Sequence, residues 1–124
     1  MIYGIGLDLC EISRMQKNLL DDRFLNRYFA PGETAYIRSK GMSAAQTMAG
    51  IFAAKEALGK ALGIGIGFDL KEAEVRHDEN GCPYYCLGGD LAKRFPEGHF
   101  LLSITHDGGI SAAVCIREKC SLPE

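Results

Sequence analysis

An α+β domain is predicted by the way three periodicities are distributed along the chain. From Ser43 to Leu62 apolar residues recur at helical spacing. Ile2–Leu9 alternates residue by residue, which is strand spacing. After Ala73 the chain reads as four short strands separated by turn signals. The expected architecture is an antiparallel-type sheet, built from the N-terminal strand and the later β segments, packed on a long central helix. With 124 residues, 47% of them apolar, the chain suffices for one domain, 1–124, with a modest core.

The charge balance narrows the function classes. A net charge of −2 and a pI near 5.9 argue against general nucleic-acid binding, which needs a basic surface. No apolar run reaches the length of a membrane span, and no basic segment followed by an apolar run opens the chain. Five cysteines, an odd count without a secretory signal, fit free thiols in a reducing cytoplasm. Cys82-Pro-Tyr-Tyr-Cys86 has one residue too many for a redox dithiol, so strand-packing cysteines are expected. Cys115 and Cys120 are too far from any His pair to suggest zinc.

Taken in order, Ile2–Leu9 places Tyr3, Ile5, Leu7 and Leu9 on one face and Gly4, Gly6 and Asp8 on the other. Two glycines in a strand point to close approach by another backbone, side chain or ligand, and they clear the face that carries Asp8. A short acid at a strand end is ordinarily a helix cap. Gly4-x-Gly6 lacks the third glycine of a dinucleotide fingerprint. Glu11–Leu20 reads as a short helix with Ile12, Met15 and Leu19 on its apolar side. Asp21 and Asp22 cap a second helix through Tyr28. Arg14, Lys17, Arg23 and Arg27 make this the most basic part of the chain. That is either a solvated face or a docking patch for an acidic partner. Pro31 opens a third helix to about Lys40, with Glu33 in its first turn and Gly41 ending it.

The central helix starts at Ser43 as N-cap and stops at Gly63. Its residues up to Ala54 are mostly small or apolar, so it is expected to be buried on most sides, yet Lys55, Glu56 and Lys60 interrupt that pattern. A buried carboxylate is costly unless it meets a cation or a metal. Glu56 and Lys60 are one turn apart, the spacing of a solvated salt bridge. Gly63-Ile64-Gly65-Ile66-Gly67 is an open loop, read as a turn or as backbone on which a flat ligand lies. It is no P-loop, because Ala61 replaces the Ser/Thr and Ala54 the first glycine. Ala73–Asp78 and Tyr84–Leu87 form a hairpin across Glu79-Asn80-Gly81, and Gly89–Phe95 a short helix. Phe100–His106 and Ser111–Arg117 follow as strands around Asp107-Gly108-Gly109. Ser103, Thr105 and His106 offer polar groups for an anion-contacting edge, although a loop His commonly just caps a turn.

Together these segments resemble the holo-acyl-carrier-protein synthases, the small stand-alone 4′-phosphopantetheinyl transferases. The resemblance rests on Gly4-Ile5-Gly6-Leu7-Asp8 with Glu11 and Arg14, and on Phe52-Ala53-Ala54-Lys55-Glu56-Ala57 with Lys60, Gly63 and Gly65. Asn80-Gly81-x-Pro83 and Ser103-Ile104-Thr105-His106 complete it, in order and at similar spacing. It implies the 4′-phosphopantetheinyl transferase fold. It also implies magnesium-dependent transfer of 4′-phosphopantetheine from coenzyme A to a serine of apo-acyl carrier protein, releasing adenosine 3′,5′-bisphosphate, for fatty acid biosynthesis. On this likeness Asp8 and Glu56 hold the metal, Lys60 lies beside the diphosphate, and Gly63 and Gly65 belong to the coenzyme A site. Ser103, Thr105 and His106 meet its nucleotide end, often from a neighbouring subunit. Arg14 and the basic helices around it dock the carrier protein, and the small members form trimers with sites at subunit interfaces.

The residue types suit that chemistry independently. Magnesium prefers carboxylate and phosphate oxygens and water, it stabilises a departing phosphate oxygen, and such transfers depend on positioning and electrostatics. Glu56, directly or through water, is the preferred base. Three positions depart from the family's pattern: Ile51 stands where an arginine precedes the Phe, Ala30 where Thr is common, and Cys82 where a basic residue is usual. Ile51 puts one anion contact to coenzyme A in question. The alternatives are a non-catalytic coenzyme A or carrier-protein binder of the same fold, or an oligomer in which the acids and lysines are only salt bridges.

Overall fold

The structure, a computed structural model, describes residues 1–119; Cys120 lies outside the described residues. Strand β1 (Ile2–Glu11) is followed by three short helices, α1 (Ile12–Asn18), α2 (Asp22–Tyr28) and α3 (Pro31–Arg38). Helix α4 (Ala44–Leu62) leads to β2 (Ala73–His77), β3 (Pro83–Leu87), α5 (Gly89–Arg94), β4 (His99–Asp107) and β5 (Ile110–Glu118). The first, last and penultimate strands form one antiparallel sheet in the order β1-β5-β4, while β2 and β3 form a separate hairpin. The expected α+β arrangement of a sheet on a long central helix is therefore present, with the later strands divided between two sheets.

Helix α4 is the centre of the core. All of its residues are buried except Gln46, Thr47, Glu56 and Lys60. Ala and Gly dominate its sheet-facing side, so the strands approach its backbone directly. A Cβ on Gly4 or Gly6 would run into the carbonyls of Ala61 and Ala57. The glycine face of β1 is thus the inner face. Its larger side chains point the other way: Ile5, Leu7 and Leu9 are 66%, 61% and 62% exposed. The register continues this outward face across Ile116, Val114 and Ala112 to Leu101, Ser103 and Thr105.

A buried ion pair ties the helices to the hairpin. Lys55 and Glu33 are both completely buried, with Nζ 2.7 Å from Oε1. Lys55 also donates to the carbonyls of Leu70 (2.7 Å) and Ala73 (2.9 Å), so its three N–H groups have three acceptors. Glu33 accepts from the backbone N–H of Ala30 (2.9 Å), closing the first turn of α3, and of Val75 (2.8 Å) in β2. Burial pushes the Glu33 carboxyl up and the Lys55 ammonium down, and each charge opposes the other's shift.

Turns follow their sequence signals. Gly63 ends α4 in the left-handed conformation (φ 76°), and Gly108 and Gly109 (φ 59° and 81°) make the tight β4–β5 connection. Asp21 caps α2 through the N–H groups of Arg23 and Phe24. Several expectations are corrected. Ser43 makes no side-chain cap to α4, because it ends a 3-10 turn, Gly41–Ser43, that feeds the helix. Helix α3 stops at Arg38, before Gly41. Asp8 lies inside β1, which runs on to Glu11, and so is no helix cap. His106 lies in a strand as expected, although β4 continues past it to Asp107. Cys82 is exposed in the β2–β3 turn, where Asp78 Oδ1 accepts its N–H, and does not pack in a strand.

Removing one partner of the buried pair leaves the other charge unpaired. Glu33→Gln or Lys55→Met is expected to cost about 3–5 kcal/mol, read as a fall in Tm and in the denaturation midpoint. A loss below about 1 kcal/mol would mean that the pair does not organise the fold.

Candidate active site

The site forms where β1 crosses the C-terminal half of α4. Asp8 shares the inner face of β1 with Gly4 and Gly6. Because Gly6 lets the strand touch the carbonyl of Ala57, Asp8 is brought to the flank of the helix that carries Glu56 and Lys60. Lys60 Nζ donates to Asp8 Oδ1 at 3.0 Å and to the Leu7 carbonyl at 3.0 Å. This replaces the Glu56–Lys60 pair expected from helical spacing: the lysine reaches across to the strand. Asp8 Oδ2 is buried and, among the described residues, has no hydrogen-bond partner. Glu56 is half-buried, and its carboxyl is pushed up to about 7, first by burial and then by Asp8, against the pull of Arg14 and Lys60.

Two acids are therefore held together, and the carboxyl of Glu56 is reluctant to ionise beside Asp8. That is a surplus of acceptor oxygens which a hard cation would satisfy. Among the described residues no group of three or more His, Cys, Asp or Glu gathers, so protein ligands beyond this pair are not provided. Magnesium tolerates such a set, since it keeps waters and takes substrate phosphates.

The remaining candidate residues fall into distinct places. Gly63 and Gly65 (φ 76° and 59°) lie just beyond the helix end. Their loop is a bonded turn and not an open one: Ile64 and Gly65 both donate to the Gly59 carbonyl (3.0 and 3.1 Å). A Cβ at Gly59 would strike the Gly65 carbonyl, a requirement the sequence reading missed. Ser103 and Thr105 sit on the outward sheet face, whereas His106 faces inward with Ile104 and Ser111 around a cavity of about 300 Å³. The Ser–Thr–His run is thus split between two faces. On α4, the cavity residues Thr47 and Ile51 are about half a helical turn from Glu56 and Lys60, so cavity and acid pair occupy opposite flanks. Arg14, Lys17, Arg23 and Arg27 are all exposed. Arg14 lies over the Phe52 ring (5.1 Å) and lines a cleft of about 460 Å³ with Lys17, Leu9 and Cys10. Arg27 lies over Tyr28 (5.3 Å), beside a second cleft.

Comparison with known proteins adds a family. Residues 4–115 match the model of the 4′-phosphopantetheinyl transferase superfamily. A holo-[acyl-carrier-protein] synthase of Caldicellulosiruptor saccharolyticus is 40% identical over 122 residues, covering 96% of this chain and 98% of that one. Among solved structures, the holo-[acyl-carrier-protein] synthase of Neisseria meningitidis superposes with a TM-score of 0.85 at 30% identity, covering 96% of this chain and 100% of that one. The Bacillus anthracis holo-(acyl-carrier-protein) synthase in complex with CoA (3′,5′-ADP) superposes with a TM-score of 0.82 at 35% identity, covering 97% and 99%.

The raised Glu56 carboxyl sets a pH dependence. Its folded value, about 7, lies above the ordinary 4.5. Between these values the folded state binds more protons, so this contribution to stability is present below the ordinary value and lost as pH rises through 7. Tm is expected to fall between pH 5.5 and 8 through this group, Glu56→Gln to flatten that part of the curve, and millimolar Mg²⁺ to raise Tm more at pH 8 than at pH 5.5. An unchanged slope in Glu56→Gln would remove the assignment.

Proposed function

This chain belongs to the 4′-phosphopantetheinyl transferase superfamily, and we propose that Asp8, Glu56 and Lys60 carry out a magnesium-dependent transfer from coenzyme A to a serine of apo-acyl carrier protein. The enzyme class, a holo-acyl-carrier-protein synthase, follows from near-full-length relatives at about 40% identity. The residue roles and the metal are our reading. The observation that carries it is the acid pair itself, Asp8 buried against the flank of α4 and the neighbouring Glu56 carboxyl pushed up to about 7 by burial and by Asp8.

In this reading the serine oxygen bonds to the phosphorus that bears pantetheine, the diphosphate P–O bond breaks, and adenosine 3′,5′-bisphosphate leaves with the electron pair. Asp8 and Glu56 would hold Mg²⁺, which when bound polarises the diphosphate and offsets its charge. Lys60, displaced a short way from Asp8, lays a fixed positive charge along the same phosphates. Glu56, directly or through a water, accepts the serine proton. Gly63 and Gly65, at the end of α4 beyond Lys60, leave backbone without side chains for the pantetheine diphosphate to pass.

The basic residues of α1 and α2 suit a carrier protein of acidic surface, where charge sets encounter and orientation. The outward face of Ile5, Leu7, Leu9 and Leu101 is an apolar patch of the kind that marks an assembly surface. Contact between copies of the chain through this face is in keeping with a trimer whose sites lie at subunit interfaces. Four free cysteines among the described residues agree with action in the cytoplasm, and holo-carrier protein would serve fatty acid biosynthesis. A binder without transfer is favoured only by the buried Ile51, and product release separates the two.

Apo-acyl carrier protein incubated with the protein, coenzyme A and Mg²⁺ should gain the mass of one phosphopantetheine, and EDTA should abolish the gain. Asp8→Ala and Glu56→Ala should each lower kcat by at least about 100-fold while retaining the far-UV circular dichroism of the parent. Full turnover in both variants would refute the assignment of the pair.

A further inference from the structure

The loop that follows α4 is held from two sides, and α4 supplies one of them. Gly63, Gly65 and Gly67 alternate through it, the first two with positive φ. A chain so rich in glycine has many conformations to lose, so contacts from outside must keep it in one. On its inner side the Gly59 carbonyl accepts from the N–H groups of Ile64 and Gly65. Ile66 is 67% exposed, so burial does little to hold it. On the outer side Arg94, the last residue of α5, donates from Nη1 to the Gly67 carbonyl at 3.2 Å. The guanidinium also lies over the Phe95 ring, 5.5 Å from its centroid, which restricts where its N–H groups point.

Helix α5 is itself fixed at its other end. Glu72 Oε2 accepts from the N–H of Asp90 (3.0 Å) and Oε1 from that of Leu91 (3.1 Å), so both carboxylate oxygens close the first turn of α5. The fit is tight, since Gly89 has φ 55° and a Cβ there would strike Glu72 Oε2. Leu91 is fully buried beneath the turn. Glu72 ends the 3-10 turn Leu70–Glu72, whose Leu70 carbonyl accepts from Lys55, the residue before Glu56. Helix α5 is thus a strut from a turn tied to α4 beside Glu56 back to the loop beyond Lys60. We propose that Arg94 is a positioning residue for the transfer, holding the Gly63–Gly67 loop in the shape that receives the coenzyme A diphosphate without touching the donor. This rests on the reading above that Gly63 and Gly65 border the diphosphate. Asp8, Glu56 and Lys60 stand on β1 and α4, which Arg94 does not bond, so loosening the loop weakens donor binding and leaves the chemistry of the bound donor in place.

The test is steady-state kinetics of the parent, Arg94→Ala, Arg94→Lys and Glu72→Ala with one apo-acyl carrier protein and varied coenzyme A. Arg94→Ala is expected to raise KM for coenzyme A on the order of 10-fold, the share of one charged hydrogen bond, with kcat held within about twofold. KM for the carrier protein should not move. Arg94→Lys, whose ammonium can still donate to the Gly67 carbonyl, should recover most of the loss. Glu72→Ala frees the other end of α5 and should raise the same KM. Combined with Arg94→Ala it should raise KM by less than the product of the two single effects, because both act through one helix. An unchanged KM for coenzyme A in Arg94→Ala overturns the proposal. So does a salt dependence of that KM which flattens in Arg94→Ala, since it would assign the guanidinium to the diphosphate itself. Absence of transfer by the parent overturns the transferase reading and this inference with it, whereas parent transfer with an unmoved KM in Arg94→Ala overturns the inference alone.

Discussion

The Lys55–Glu33 pair is the constraint on which the rest of the molecule depends. It joins α3, α4, the 3-10 turn Leu70–Glu72 and β2. A core built from Ala, Gly and Leu packs closely but specifies little, since such surfaces slide over one another with small change in contact. A buried charge pair bonded to four defined backbone groups does not slide. Lys55 fixes the height of the hairpin against the helix, and Glu33 fixes the start of α3, by directional bonds that an apolar pair would lack. Its neighbour Glu56 stands on a helix already held by the residue before it.

The same helix separates two environments. One flank, with Glu56 and Lys60, meets the acid of β1 and collects charge. The other, with Thr47 and Ile51, meets β4 and the hairpin and is apolar and aromatic. The outer sheet face, carrying aliphatic residues next to Ser103 and Thr105, belongs to neither environment within a single copy. On β1 the sheet has one side of glycine against the helix and one side of exposed aliphatics.

Much of this was readable from the residues. The glycine alternation in β1 announced a close backbone approach, and the acids on that face and in α4 stood out because they interrupt small or apolar patterns. What escaped was non-local. Glu33 looked like an ordinary first-turn acid, since nothing in its neighbourhood signals a lysine 22 positions later. Lys60 was given to Glu56 because helical spacing cannot anticipate a strand crossing beside it. The Gly63–Gly67 loop looked open because its partner, Gly59, is a glycine whose role appears only when a carbonyl rests on it. Ser103 and Thr105 differ in parity from His106, so their separation onto two faces was written in the strand period, although the run was read as one edge.

The glycine contacts of β1 have a further consequence for tolerance. At Gly6 and Ala57 the strand and helix meet backbone to backbone, with no side chain between them. Hard atoms in contact act as a datum surface, as a machinist would use the term: other dimensions are measured from it. Asp8 lies two residues from one side of that contact and Glu56 is adjacent to the other, so the spacing of the acids is referred to peptide groups whose dimensions every sequence shares. Repacking of Leu, Phe or Met elsewhere in the core then changes how firmly the molecule holds together without altering that spacing. Stability and site geometry become separately adjustable quantities, and sequences can drift widely while the two carboxylates stay where they are.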